Sequence, residues 1–231
     1  MLEPYDDRTG MRSIILAVTA NIPVIGGVVT GLDTYLTGQL QEARQDRLYA
    51  LMDEIETGER PLTRKVAISD PVIYAAHITI EATIRTQRIE KVRAFARLLR
   101  AGIEDEPRLD LETEHEDFLK ILDDLSYREV GLLATLEEFE KNNPILEGDN
   151  ALQRSHRFWD DFVEQVTEEY SIQVDELDAW MTRLNRTGTY ETFTGSFLGY
   201  TGGKGKLTPT YYRLSSLIRS QPGILRTGKT A

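Results

Sequence analysis

Apolar residues recur at spacings of three and four along most of this 231-residue chain, which is the repeat of an amphipathic helix. Leu48, Leu51, Met52 and Ile55 follow the i, i+3, i+4, i+7 pattern of one buried stripe. Comparable stripes follow in the ranges 73–84, 89–103, 111–125, 132–136, 159–170 and 177–184. Because each stripe must be buried against another element, the chain is predicted to be mainly α-helical and to form a helical bundle.

Several of these helices carry residues that start or stop a helix. Asp70 before Pro71 predicts a start, because aspartate caps the first turn and proline fits there without wasting a donor. The run from Ser126 to Glu129 fits a capping box. Gly188 predicts the stop of a short helix that begins near Val174. The helix that begins at Asp70 is predicted to run through Ile73, His77, Ile80 and Ile84.

Towards the C-terminus the pattern stops being helical. Two ranges, Thr189–Thr194 and Lys206–Arg213, are rich in β-branched and aromatic residues, and five glycines lie between them or at their edge. This pattern predicts a β-hairpin with a long glycine-rich tip. Ser215 is then expected to cap a short final helix through Leu217 and Ile218.

Helix, turn, helix, hairpin and short helix is the order of elements in a winged helix-turn-helix module. The predicted fold class is therefore mainly α, a helical bundle followed by a C-terminal winged-helix-like module with one β-hairpin. The length of the chain favours two domains. We expect a helical region with the N-terminal apolar segment over residues 1–108, and a winged-helix-like region with a basic C-terminal tail over 109–231.

Charge is distributed unevenly along the chain. The whole chain has a formal net charge of −11, yet the range 182–231 contains eight basic residues and one acid. That range is therefore +7, which leaves −18 for the first 181 residues. An anionic partner would meet the C-terminal range and avoid the rest, although the two parts could also attract each other.

Nucleic-acid contacts, if the module makes them, are expected at the end of its second helix and in the hairpin. The candidate contact residues are Arg183, Asn185, Arg186, Lys204, Lys206 and Arg213. The start of the same helix carries Asp175, Glu176 and Asp178, which would repel DNA where base contacts usually begin. A module that only packs or dimerises stays as the alternative.

No pattern of catalytic or metal-binding residues stands out. The chain has no cysteine, which removes thiolate nucleophiles, thiolate zinc sites and disulfides. Its three histidines, His77, His115 and His156, lack the spacing of metal ligands. The run up to Lys206 is not a phosphate-binding loop, because Tyr200 replaces the first glycine that the motif requires. We therefore expect no enzyme activity, no cofactor and no small-molecule substrate.

An uncharged stretch from Ser13 to Leu32 just reaches the length of a membrane-spanning helix. Pro23 and three glycines lower its apolarity and interrupt its helical continuity. Three interpretations stay open: a helix buried in the protein, a permanent membrane span, and a segment that inserts only after a trigger. Its apolar residues are Ile14, Ile15, Leu16, Val18, Ile22, Val24, Ile25, Val28, Val29 and Leu32.

Three runs of residues resemble the Abi-alpha family of bacterial proteins, which is linked to phage abortive infection. They are TQRIEKVRAFARLL from Thr86 to Leu99, FLKILDDLSYRE from Phe118 to Glu129, and YRLSSL from Tyr212 to Leu217. The resemblance spans about two thirds of the chain and implies a role in defence against phage. It supplies no catalytic residues, and the glycine-rich wing and the basic tail depart from it.

These features favour a non-enzymatic regulatory or effector protein of a prokaryotic defence type, acting through the N-terminal apolar segment on a membrane. The alternative is a winged-helix transcriptional regulator that binds DNA through its basic C-terminal range. A protein partner or self-association is expected in either case. The acidic start of the chain does not fit a secretory signal, so a cytoplasmic location, with membrane association through the apolar segment, is expected.

Overall fold

The computed structural model describes residues 31–57, 69–104, 106–193 and 203–219. This part of the chain is mainly helical, with a two-stranded antiparallel sheet near the C-terminus, so the helical class and the hairpin are confirmed. The chain divides into two compact units, Met1–Asp123 and Asp124–Ala231. The domain division after residue 108 stays a prediction.

The described part of the first unit contains four helices: α1 (Gly31–Glu56), α2 (Asp70–Arg85), α3 (Ile89–Ile103) and α4 (His115–Asp124). Its core forms where the first three pack together, with Leu51 and Ile55 from α1, Ile80 from α2, and Val92 and Leu99 from α3 all fully buried. The stripe predicted in α1 is therefore a core stripe. It fixes which face of α1 points away from the core.

Helix α2 begins where the sequence indicated, but its details differ. Ser69 occupies the N-cap position, and Asp70 and Pro71 lie in the first turn. The helix does run through Ile73, His77, Ile80 and Ile84 as predicted, but Ile73 is 41% exposed and His77 is exposed too. The buried face instead carries Val72, Ala75, Ala76, Thr79 and Ile80. Alanines on this face are small enough to let neighbouring helices approach closely. A periodicity that is read mainly from large apolar residues overlooks such a face.

The second unit contains α5 (Tyr127–Asn142), α6 (Ala151–Tyr170), a 3₁₀ turn (Val174–Glu176), α7 (Leu177–Arg186), β1 (Tyr190–Thr192), β2 (Gly205–Leu207) and α8 (Pro209–Ile218). The predicted capping box at the start of α5 is confirmed, with Ser126 and Glu129 bonding each other's backbone N–H groups. Helices α5 and α6 pack through Phe139, whose ring stacks on Phe158 at 5.6 Å between centroids. Helix α5 is therefore the element against which the later elements of this unit pack.

The hairpin is shorter than the sequence suggested. Strands β1 and β2 pair antiparallel, with Tyr190 opposite Leu207 and Thr192 opposite Gly205. The second predicted strand, Lys206–Arg213, is wrong beyond Leu207, because α8 begins at Pro209. Thr208 caps this helix, with its side chain accepting from the Tyr211 N–H, so Ser215 is not the cap. A threonine cap followed by proline in the first turn outweighs the β propensity of the tyrosines.

Candidate functional site

Helix α7 occupies the position of a second helix after a turn, and its first turn is acidic. Asp175 and Glu176 lie in the 3₁₀ turn and Asp178 lies in the first turn of α7, all exposed. Carboxylates at a helix start interact favourably with the helix dipole, which gives them a structural reason to be there. They also make this end of α7 repulsive to phosphate groups.

The last turns of α7 carry three of the candidate contact residues: Arg183, Asn185 and Arg186. All three are exposed at the residue level. The guanidinium of Arg183 forms an ion pair with Glu129 in the first turn of α5, with 2.9 Å between Nε and Oε1. Since the Glu129 side chain is only 1% exposed, Arg183 neutralises a buried carboxylate. Its charge is thus compensated inside the unit.

Two arginines lie close to the ring of Trp180. The guanidinium carbon of Arg128 is 5.9 Å from the centre of its ring, and that of Arg183 is 5.8 Å from it. Both distances fall within the range of a cation–π interaction. Arginine and tryptophan together are typical of the centre of protein interfaces. The α5–α7 face, defined by Arg128, Trp180, Arg183 and Arg186, is therefore chemically suited to contact a protein.

The two candidate lysines of the hairpin also meet other groups of the unit. Lys206 lies opposite Glu191 in the strand register, and its Nζ is 3.2 Å from the carboxylate. The Nζ of Lys204 lies 3.1 Å from Nδ1 of His156 on α6. A carboxylate oxygen of Asp178 lies so near Gly203 that a Cβ there would be 2.7 Å from it. Carboxylates therefore lie near the part of the hairpin that carries both lysines.

The six candidate residues are distributed over three parts of the unit. Arg183, Asn185 and Arg186 lie on α7, Lys204 and Lys206 lie at or beside β2, and Arg213 is exposed on α8. The glycine-rich tip of the hairpin, residues 194–202, lies outside the described residues. So does the apolar segment up to residue 30, whereas Leu32 lies in the first turn of α1.

Sequence reasoning missed a set of buried carboxylates on α5. Glu137 accepts hydrogen bonds from Arg219, which follows α8, and from the Tyr211 hydroxyl at 2.8 Å. Lys141 adds an ion pair to Glu137 at 2.8 Å. The signal was present in the sequence, because Glu137 stands four residues after Leu133 and one after Leu136, on the same helical stripe. An acid on an apolar stripe indicates a buried, partnered carboxylate.

Glu140, one turn further along α5, holds the hairpin and α8 in place. One of its oxygens accepts from the backbone N–H of Leu207 in β2 and pairs with Arg154 of α6 at 2.9 Å. The other accepts from the Tyr212 hydroxyl at 2.7 Å. A single buried side chain therefore connects α6, β2 and α8 to α5.

The surroundings of these groups shift their proton affinities. Burial alone would raise the pKa of Glu137, but hydrogen bonds from Arg219, Lys141 and Tyr211 outweigh it and hold the pKa below its ordinary value. Burial raises the pKa of the Tyr211 phenol, and the nearby Glu137 adds to this. Burial and the hydrogen bond to Glu140 raise that of Tyr212 in the same way. At neutral pH Glu137 is therefore a carboxylate, and Tyr211 and Tyr212 are neutral phenols.

In the first unit, His115 is fully buried. Its Nε2 lies 3.4 Å from the hydroxyl oxygen of Thr79, whose own proton is donated to the Ala75 carbonyl. The Thr79 oxygen must accept, so Nε2 carries the imidazole proton. Nδ1 is buried and has no hydrogen-bond partner among the residues that the structure describes. Burial lowers the pKa of His115 to about 4.

Within the described ranges, no group of three or more histidine, aspartate or glutamate side chains is placed to hold a metal ion. None of the helices in that part of the chain is both long and apolar enough to cross a membrane. No protein-family model matches the chain, and no curated protein or solved structure is significantly similar to it.

Proposed function

We propose that this chain is a non-enzymatic regulatory or effector protein of a prokaryotic defence type. In this proposal the C-terminal unit is a winged-helix-like module that binds protein rather than nucleic acid. The N-terminal apolar segment is the part that acts on a membrane. The resemblance of three sequence runs to a phage-defence family supports the biological setting, and the chemistry of the C-terminal unit supports the class of partner.

The observation that carries the proposal is that carboxylates of the unit itself already pair with two of the candidate cations, Arg183 and Lys206. Arg183 pairs with the buried Glu129, and Lys206 pairs with Glu191 across the hairpin. A phosphate that recruits either cation must compete with the carboxylate already bound to it. Binding of DNA draws most of its affinity from cations that are neutralised only by phosphates. The geometry therefore favours a partner that uses arginine and aromatic contacts rather than phosphate contacts.

The acidic start of α7 supports the same conclusion. In DNA-binding modules of this element order, the start of the second helix enters the major groove. Here that end carries Asp175, Glu176 and Asp178, which are exposed. Like-charge repulsion at the groove would cost several kcal/mol in the absence of compensating contacts. A protein surface with basic groups would be a better match.

The membrane part of the proposal rests on the uncharged stretch Ser13–Leu32 in an otherwise acidic chain. Fractionation of cells that express the full chain, before and during phage challenge, tests it. We expect the protein to move to the membrane fraction on challenge, and Ile25→Lys to prevent this because a lysine at the centre of an inserted segment is unfavourable. Gln41→Lys, at an exposed position of α1, is the matched control and should behave as wild type. A protein that stays in the soluble fraction throughout the challenge contradicts the proposal.

A winged-helix DNA-binding regulator is the second candidate. It is favoured by the order of elements in the C-terminal unit and by Asn185 and Arg186, which are exposed at the end of α7. It predicts a mobility shift of duplex DNA at low salt that is lost when Lys204 and Lys206 are both changed to glutamate. The absence of any shift would eliminate it.

A further inference from the structure

One flank of α1 carries a row of acidic residues. Glu42, Asp46, Asp53 and Glu56, together with Tyr49, are spaced alternately by four and three residues, so they share one face of the helix. All are exposed except Glu56, which is half-buried. We call this row the α1 acidic stripe. It begins ten residues after the apolar segment ends.

The opposite flank of α1 is already engaged. Glu54 pairs with Arg97 of α3, with 2.6 Å between Oε1 and Nε. Arg47 donates to the carbonyl of Ile84 at the end of α2. By contrast, Asp53 and Glu56 form no ion pair within the described ranges. The α1 acidic stripe thus keeps charge that a partner could neutralise.

A groove of about 410 Å³ lies along this stripe, lined by Tyr49, Ala50, Met52, Asp53 and Glu56. Tyr49 is 60% exposed, which leaves an aromatic ring accessible beside two carboxylates. A guanidinium group suits such a groove, because it can bond a carboxylate through two N–H groups and lie on an aromatic face. The groove is therefore suited to an arginine from another surface.

The α5–α7 face offers that chemistry. Its Arg186 is exposed and forms no ion pair within the described residues, and Arg128 is exposed beside the Trp180 ring. The face and the stripe are thus complementary in charge, and each contains an aromatic ring.

We propose that the α5–α7 face of one copy docks onto the α1 acidic stripe of a second copy. This inference rests on the proposed function, because it names a second copy as the partner of the protein-binding unit. The two docking surfaces differ, so the contact is head-to-tail, and copies associate into a ring or a chain. Association should weaken as salt rises, since exposed ion pairs carry much of it.

Charge reversal in separate copies tests the proposal, and the molar mass of the full chain is the readout. Variant one, Arg128→Glu with Arg186→Glu, keeps the acidic stripe. Variant two, Asp53→Arg with Glu56→Arg, keeps the α5–α7 face. At a protein concentration at which wild type associates and its molar mass is higher, each variant alone should remain a monomer of 26.3 kDa. The reason is that each charge reversal weakens association by about tenfold or more. An equimolar mixture should associate again, because each variant supplies the surface that the other lacks.

Glu168→Arg, which reverses an exposed acid on α6 that belongs to neither surface, is the matched control and should associate like wild type. Circular dichroism melting checks that all variants fold. A wild-type chain that stays monomeric at all concentrations, or a mixture that stays monomeric, overturns the inference. Either result together with no DNA binding leaves the proposed function standing, whereas binding of duplex DNA overturns the proposed function itself.

Discussion

Arg183 of α7 pairs with Glu129 of α5, with 2.9 Å between Nε and Oε1, and this contact joins two helices that begin 50 residues apart. The same carboxylate accepts the backbone N–H of Ser126 in the capping box. The buried Glu129 side chain thus caps the start of α5 and also binds α7 through Arg183. The pair also removes Arg183 from the set of cations available to a phosphate.

Arg183→Ala should lower the free energy of unfolding by about 1–2 kcal/mol, because it leaves Glu129 buried with one partner fewer. The expected loss is smaller than for a fully buried ion pair, because the Arg183 side chain is 52% exposed and solvent screens its charge. Arg186→Ala, at an exposed position on the same helix, should change stability by less than about 0.5 kcal/mol. Urea unfolding of both variants checks this. Equal losses would contradict a specific role for Arg183.

Gly131→Ala should destabilise the second unit although alanine favours helices. A Cβ at Gly131 would lie 2.5 Å from the ring of Tyr170, which packs there and bonds Thr135 through its hydroxyl. We expect a net cost of about 2 kcal/mol, with overpacking outweighing a propensity gain of about 1 kcal/mol. In the background Tyr170→Leu the same change should cost far less. Thermal melts of the four proteins give the coupling, and additive effects would argue against the contact.

Stability of the first unit should decline in mild acid because of His115. Burial lowers its pKa from 6.5 in the unfolded chain to about 4 in the folded one, so only the unfolded state gains a proton between these values. The contribution of His115 is therefore complete above pH 6.5 and is lost as the pH falls to about 4. The loss amounts to about 3 kcal/mol. His115→Leu should remove this part of the pH dependence, whereas His77→Gln, at an exposed position, should retain it. Urea unfolding at several pH values between these limits measures it, and the same slope in His115→Leu as in wild type would refute the assignment.

Helix α8 should loosen when the acid beneath it loses its charge. Glu137→Gln weakens the bonds from Arg219 and Tyr211, and we expect amide protection of α8 to fall by about 2 kcal/mol in hydrogen exchange. Since the pKa of Glu137 is held low, its contribution is present above its ordinary pKa of 4.5 and is lost as the pH falls further. Glu138→Gln, at the exposed neighbouring position, should leave α8 protected. Protection unchanged in Glu137→Gln would contradict an anchoring role.

Local signals in the sequence were the most reliable. The bonds between Ser126 and Glu129 close within three residues, so their spacing predicts them directly. The start of α8 depends on an equally local signal, Thr208 before Pro209, but the surrounding tyrosines favoured a strand. Competing local preferences therefore explain the error in the second predicted strand.

The candidate site depended on longer-range partners. Glu137 and Arg219 are 82 residues apart, and no spacing rule connects them. The sequence correctly placed cations at the end of α7 and in the hairpin, but it could not show that Glu129 and Glu191 lie beside them. Net charge along a chain counts side chains, whereas binding depends on which of them remain available after folding.

The central claim is that the C-terminal unit binds protein rather than nucleic acid. Its most direct test is fluorescence anisotropy of a labelled duplex DNA titrated with the full chain, between about 50 and about 200 mM salt. The account predicts no saturable rise in anisotropy at any salt concentration in this range. Saturable binding that weakens steeply with salt, and that Arg186→Glu reduces, would contradict it.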